Sequence, residues 1–210
     1  MTEPQDTSTT RPSMEPKEVT DPRELRALTH PVRLSLLEVL GTQGPLTATQ
    51  AGELIDESPT TCSFHLRQLA KYGFVEEAGG GVGRNRPWRL VHLGMRFNGG
   101  GQDPETAIAA DSLAALFYSR IFQRFDNWRR VRYCEPKEWQ DACGVTQSIM
   151  YVTLDELREL EAQVGALLLS YSERLVDPSL RPTGARSVEV FAAAYPAEFG
   201  RPAGDSRSTA

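Results

Sequence analysis

Apolar residues recur with a helical period through the first half of the chain and mark out a series of short elements. Asp21 before Pro22, with Glu24 following, is a helix start: a side-chain cap, a proline that needs no N–H in the first turn, and an acid at the positive helix end. This helix carries Leu25 and Leu28. It is interrupted at His30-Pro31, because the residue before a proline resists the α conformation, and His30 is expected to close the junction. Val32, Leu36, Leu37 and Leu40 form a second amphipathic helix, expected to close at Gly41. Thr47 with Gln50 is a capping box for a short third helix that ends at Leu54 and Ile55. Asp56 to Ser58 is a tight connection. Pro59 opens a fourth helix with Cys62, Leu66 and Leu69 inward, broken at Gly73. Phe74 to Glu77, a glycine-rich tip at 79–83, and Pro87 to Val91 read as a β-hairpin.

The second half is simpler in pattern. Asp103-Pro104 caps a long helix through Trp128, with Ile108, Leu113, Leu116, Phe117, Ile121 and Phe125 along it and Arg120, Arg124, Arg129, Arg130 and Arg132 towards its end. Ser148 to Val152 predicts a strand. Thr153 with Glu156 caps a further helix that carries Leu157, Leu160, Val164, Leu167, Leu168, Tyr171 and Leu175 on one side. Ser187 to Phe191 predicts a closing strand. Residues 1–19 and 200–210 have no apolar period and read as disordered tails, and the glycines at 99–101 read as a linker between blocks at 20–97 and 103–199.

Composition narrows the function classes. The chain has 210 residues, 40% hydrophobic and 24% charged, which is ordinary globular usage and enough chain for a proper core. The net charge of −5 excludes a protein that coats nucleic acid with its whole surface. From Ser58 to Phe97, however, six Lys or Arg face only two acids. No apolar run is long enough to span a membrane, the first residues lack the pattern of a signal peptide, and three cysteines without a CxxC pair fit a reduced compartment; a cytoplasmic location is expected.

Two short helices joined by a tight turn are the geometry that sets one helix into a DNA major groove. The helix from Pro59 would be the reader. Thr60, Ser63, Phe64, Arg67 and Lys71 fall on the stripe opposite its apolar face. Hydroxyls there suit base edges and phosphates, Phe64 suits a thymine methyl, and Arg67 and Lys71 suit phosphates. His65 is expected to support the helix, with a phosphate bond as its other use. Arg84 and Arg86 follow the hairpin tip directly, as a groove-probing wing requires. The alternatives are a helical hairpin with a solvated face and a winged helix that binds protein rather than DNA.

The string Leu25-Arg-Ala-Leu-Thr-His-Pro-Val-Arg-Leu34, the segment Leu46 to Leu54 and Ser63-Phe-His-Leu-Arg-Gln-Leu-Ala-Lys-Tyr-Gly-Phe-Val75 resemble the winged helix-turn-helix regulators of the ArsR type. The resemblance spans residues 21–97. It implies a homodimeric transcription regulator on an inverted repeat of double-stranded DNA, with contacts at Thr60, Thr61, Ser63, Phe64 and Arg67. Phe64 departs from the family, where a polar reader is common. The fold expected is α+β, mostly α: a winged helix-turn-helix domain, then a long helix and a strand-helix-strand unit for dimerisation or effector response.

Many such regulators sense metal, but the thiols and imidazoles here do not cluster, and neither a metal nor a cofactor is expected. Cys62 reads as a core residue; Cys134 and Cys143 are an outside candidate for a thiol site. The aromatics Phe117, Tyr118, Phe122, Phe125 and Trp128 are the best candidate for a small-molecule effector pocket, with plain packing as the alternative. The Leu157 to Leu175 stripe reads as core or dimer seam. Nucleotide-loop, nucleophile-elbow and zinc-protease motifs are absent from the sequence, and no enzyme activity is expected.

Overall fold

The computed structural model describes residues 11–79, 86–97 and 103–197. In chain order these hold β1 (Lys17–Glu18), α1 (Pro22–Leu28), α2 (Pro31–Gln43), α3 (Ala48–Ile55), α4 (Pro59–Lys71), β2 (Val75–Glu77), β3 (Trp88–Leu90), β4 (Met95–Arg96), α5 (Pro104–Val131), α6 (Lys137–Ala142), α7 (Leu154–Leu169) and α8 (Glu173–Val176). The fold is α+β and mostly α.

The helix starts follow from their caps. The Asp21 carboxylate accepts the Arg23 N–H at 2.7 Å, and the His30 ring Nδ1 accepts the Val32 N–H at 3.3 Å, so the histidine itself caps α2. At α3 the capping box is complete: the Thr47 hydroxyl accepts the Gln50 N–H, and the Gln50 side chain accepts the Thr47 N–H. α2 does not close at Gly41. It runs on to Gln43 and stops at Gly44, whose φ of 82° gives the left-handed exit. Gly41 instead faces Leu90 of β3, where a small residue lets helix and strand approach.

Leu25, Leu28, Leu36, Cys62, Leu66 and Leu69 are fully buried in one core, to which β2 and β3 add Val75 and Leu90. Burial of each large aliphatic side chain contributes about 1.5–3 kcal/mol. The first turns of α5 enter the same core through Ala109, Ala110 and Leu113. Farther along, Arg120 bridges α5 to α2 by donating to Glu38 and to the Ser35 hydroxyl.

β2 and β3 pair antiparallel, Val75 opposite Leu90 and Glu77 opposite Trp88, and Leu46 adds a two-bond bridge to Trp88. The expected hairpin therefore forms; its tip at 80–85, with Arg84, lies outside the described residues, as do 1–10, 198–210 and the expected linker at 98–102. The expected disordered tail is corrected at 11–19. β1 pairs in parallel with β4, Lys17 opposite Met95, and Val19 is buried in the core. The polar composition of this segment hid a strand that is held by backbone bonds more than by side chains.

The strand-helix-strand unit is also corrected: its helix, α7, forms, but neither flanking segment pairs as a strand. Residues 148–152 are exposed throughout, and a β-rich sequence without a neighbour to bond has no ladder. Residues 187–191 run beside α5, with Glu189 paired to Arg124 and Phe191 set edge-on against Tyr118 and Phe122. The long helix exceeds its expected end at Trp128 and reaches Val131. The Leu157 to Leu175 stripe is not core, since α7 has no buried residue and ends at Leu169 before Tyr171 and Leu175.

Candidate nucleic-acid interface

α4 is positioned by the helix before it. The connection Asp56 to Ser58 is short because Asp56 takes the left-handed conformation, φ 58° and ψ 47°, and its N–H closes on the Gly52 carbonyl. The Glu57 N–H donates to the same carbonyl at 3.0 Å. Ser58 then caps α4, accepting the Thr61 N–H at 3.0 Å, and Pro59 occupies the first turn. Cys62, Leu66 and Leu69 fix the inward face of α4.

The outward face is the stripe Thr60, Phe64, Arg67 and Lys71, all exposed. Phe64 is 55% exposed, unusual for a large aromatic side chain in a region with a well-filled core. Thr61 and Ser63 are half-buried and already committed. The Thr61 hydroxyl lies 2.8 Å from that of Ser58, and Ser63 holds Arg67, whose Nε donates to the Ser63 carbonyl and whose Nη2 donates to the Ser63 hydroxyl, each at 3.0 Å. Ser63 therefore positions the guanidinium rather than standing free beside it.

His65, expected to support the helix with a phosphate bond as its other use, lies on the inner side of α4. It is 8% exposed and turned inward, 4.3 Å ring to ring from His30, and its Nδ1 has no hydrogen-bond partner among the described residues. Burial, then the proximity of His30 and of the Arg33 guanidinium, push the imidazole below its ordinary range. It packs α4 onto the start of α2. Its register, one residue after Phe64 and three after Cys62, already marks the inner face.

The hairpin stands beside this helix. Arg86 donates to Glu77 at 2.7 Å, and Arg89 donates to Glu76, its partner across the strands, at 2.9 Å. The two acids counted along this stretch are thus both paired within the hairpin. Arg86 is exposed and free to exchange Glu77 for another anion, whereas Arg89 is the more enclosed of the two.

A pair of helices packed at a tight turn, the second with a polar and aromatic outer stripe, followed by a hairpin, is the arrangement that α3, α4, β2 and β3 make. A family model described as a helix-turn-helix domain matches residues 28–78. This segment is a helix-turn-helix domain. The match spans α2, α3, α4 and the first hairpin strand, under half of the chain. No curated protein matches the chain. Within the helix-turn-helix domain, α4 is the second helix of the pair.

Outside the helix-turn-helix domain the expected aromatic pocket is divided. Phe117 sets its edge against Phe97, Tyr118 and Phe122 receive Phe191, and Phe125 packs on Trp128. Only the last two border a cleft, of about 350 Å³, together with Tyr133, Arg132, Lys137 and Cys143. Cys134 is exposed, and among the described residues no three His, Cys, Asp or Glu side chains converge as metal ligands. Among the described residues no helix is long and apolar enough to cross a membrane.

Proposed function

We propose that the chain is a sequence-specific, DNA-binding transcription regulator of the ArsR type. The observation that carries this reading is the exposed stripe Thr60, Phe64, Arg67 and Lys71 on the second helix of the helix-turn-helix domain, with Arg86 on the hairpin beside it. The helix enters the major groove. Thr60 and Phe64, nearest its N-terminus, meet base edges and a thymine methyl, while Arg67, Lys71 and the wing residues Arg84 and Arg86 meet phosphates or the minor groove.

The regulator acts as a homodimer. One reader helix covers half a site, and a two-fold pair places two readers about 34 Å apart. The apolar surface left on the single chain supports this: Ile108, Tyr118 and Phe122 on α5 and Leu167, Leu168 and Leu169 on α7 are all exposed. The second half carries the response to a small molecule. The 350 Å³ cleft lined from α5 and α6 supports that role, with aromatic walls from Phe125, Trp128 and Tyr133 and a polar rim of Arg129, Arg132, Lys137 and Asp141, which suits a flat ligand with polar substituents.

Binding isotherms at several salt concentrations divide the interface by role. Arg86→Ala weakens binding to all duplexes and flattens the slope of log affinity against log salt by about 0.9, the release of one phosphate's counterions. Phe64→Ala leaves that slope unchanged and removes roughly 1–3 kcal/mol of discrimination at one base pair per half-site. The opposite pattern, with Phe64→Ala changing the slope and Arg86→Ala changing only sequence preference, would reverse the roles of reader and wing.

A further inference from the structure

The flank of α4 holds a second concentration of positive charge. Arg23 and Arg26 of α1, Arg33 of α2, and Gln68 and Tyr72 at the end of α4 line an open cleft of about 240 Å³. Three guanidinium groups in so small a space repel one another, and a stable fold places carboxylates among them unless the site serves an anion. Only Arg26 has such a partner among the described residues, Glu105 at 2.8 Å. The Arg33 Nε is fully enclosed and has no hydrogen-bond partner among the described residues. Burial also holds the Arg33 guanidinium below its ordinary range, the sign of a charge desolvated without full compensation.

We propose that this cleft binds a phosphate oxyanion. Guanidinium forks match the tetrahedral oxygens in paired hydrogen bonds, and the Gln68 amide and Tyr72 hydroxyl add neutral donors. The anion completes the site electrostatically. Its place in the fold names the first source. Gln68 follows Arg67 and lies one turn beyond Phe64, and the Lys71 ammonium sits 5.5 Å above the Tyr72 ring, so the cleft opens beside the outward stripe of α4. With α4 in a major groove, the duplex backbone runs along that flank; this source rests on the DNA-binding reading above. A free phosphate group is the second source and does not depend on it.

The test uses the full chain with Arg23→Gln, at an exposed position, and Arg33→Gln, both checked for folding by circular dichroism. In one arm a mixed-sequence duplex is titrated between 50 and 200 mM salt. If the backbone is the ligand, each variant loses about 3.5-fold less affinity than the wild type across that range, since each phosphate contact contributes a slope of about 0.9. In the other arm inorganic phosphate is titrated at constant ionic strength. If a free anion is the ligand, the wild-type melting temperature rises saturably and that of Arg33→Gln does not. Either result supports the site. Folded variants that match the wild type in both arms overturn it. A wild type that binds no duplex contradicts the proposed function instead, and the phosphate arm then decides the site alone.

Discussion

Cys62→Asp abolishes cooperative folding of the helix-turn-helix domain. Cys62 has no exposed surface and sits among Leu66, Leu69 and Ala51 in the core beneath α3 and α4. Burial and the nearby Glu57 carboxylate both push its thiol above the ordinary range, so the site already opposes a negative charge. An aspartate there is either ionised without a cationic partner or protonated without a complete set of hydrogen bonds. The effective penalty for an uncompensated buried ion is several kcal/mol, comparable with the 5–15 kcal/mol that holds an ordinary domain together. Thermal melting followed by circular dichroism should lose its sigmoidal transition in Cys62→Asp and keep it in Cys62→Ala. A cooperative transition in Cys62→Asp within a few degrees of the wild type would mean that α4 is not docked by this face.

Gly52→Ala destabilises the domain, against the usual sign for that change in a helix. Alanine normally stabilises a helix interior by roughly 0.5–1 kcal/mol over glycine. At Gly52 the added Cβ would meet the Glu57 carbonyl oxygen at 2.5 Å, a backbone atom that cannot swing away, with the Cys62 sulfur at 3.5 Å. Relief requires α3 to part from the turn that aims α4. Overpacking of this kind costs about 1–3 kcal/mol, a loss of several degrees in melting temperature. Gly165 on α7 supplies the contrast, since nothing lies within 4 Å of its Cβ position and Gly165→Ala should raise stability. Equal shifts of the two variants in the same direction would contradict the close approach at Gly52.

The two changes mark the boundary of what the sequence discloses. Local signals at element ends were legible: Asp21, Thr47, Asp103 and Thr153 each start the helix they predict, because a capping side chain and the backbone N–H it accepts lie within three residues of one another, and Pro59 opens α4 because it needs no N–H in the first turn. So was the inward set of α4, which its period alone assigns. What depends on a distant neighbour was not. β1 exists because β4 pairs with it across the chain, and residues 148–152 fail to form a strand for want of such a partner. The net charge of the hairpin was legible as a count, but which arginine each of Glu76 and Glu77 holds follows from the fold. Gly52 had a signal, a glycine in the middle of a well-capped short helix, which points to a close backbone approach. Arg33 had none, since its enclosure depends on α1 and α4 together.

Selection of bound duplexes from a random pool at physiological salt shows whether α4 reads base sequence. The expected result is enrichment of a two-fold-symmetric motif whose half-site centres lie about 10–10.5 base pairs apart, one helical turn, and loss of that enrichment with Phe64→Ala and Arg67→Ala together. A pool that emerges without any enriched sequence, while the same protein is folded and binds duplex in proportion to its length, would contradict it.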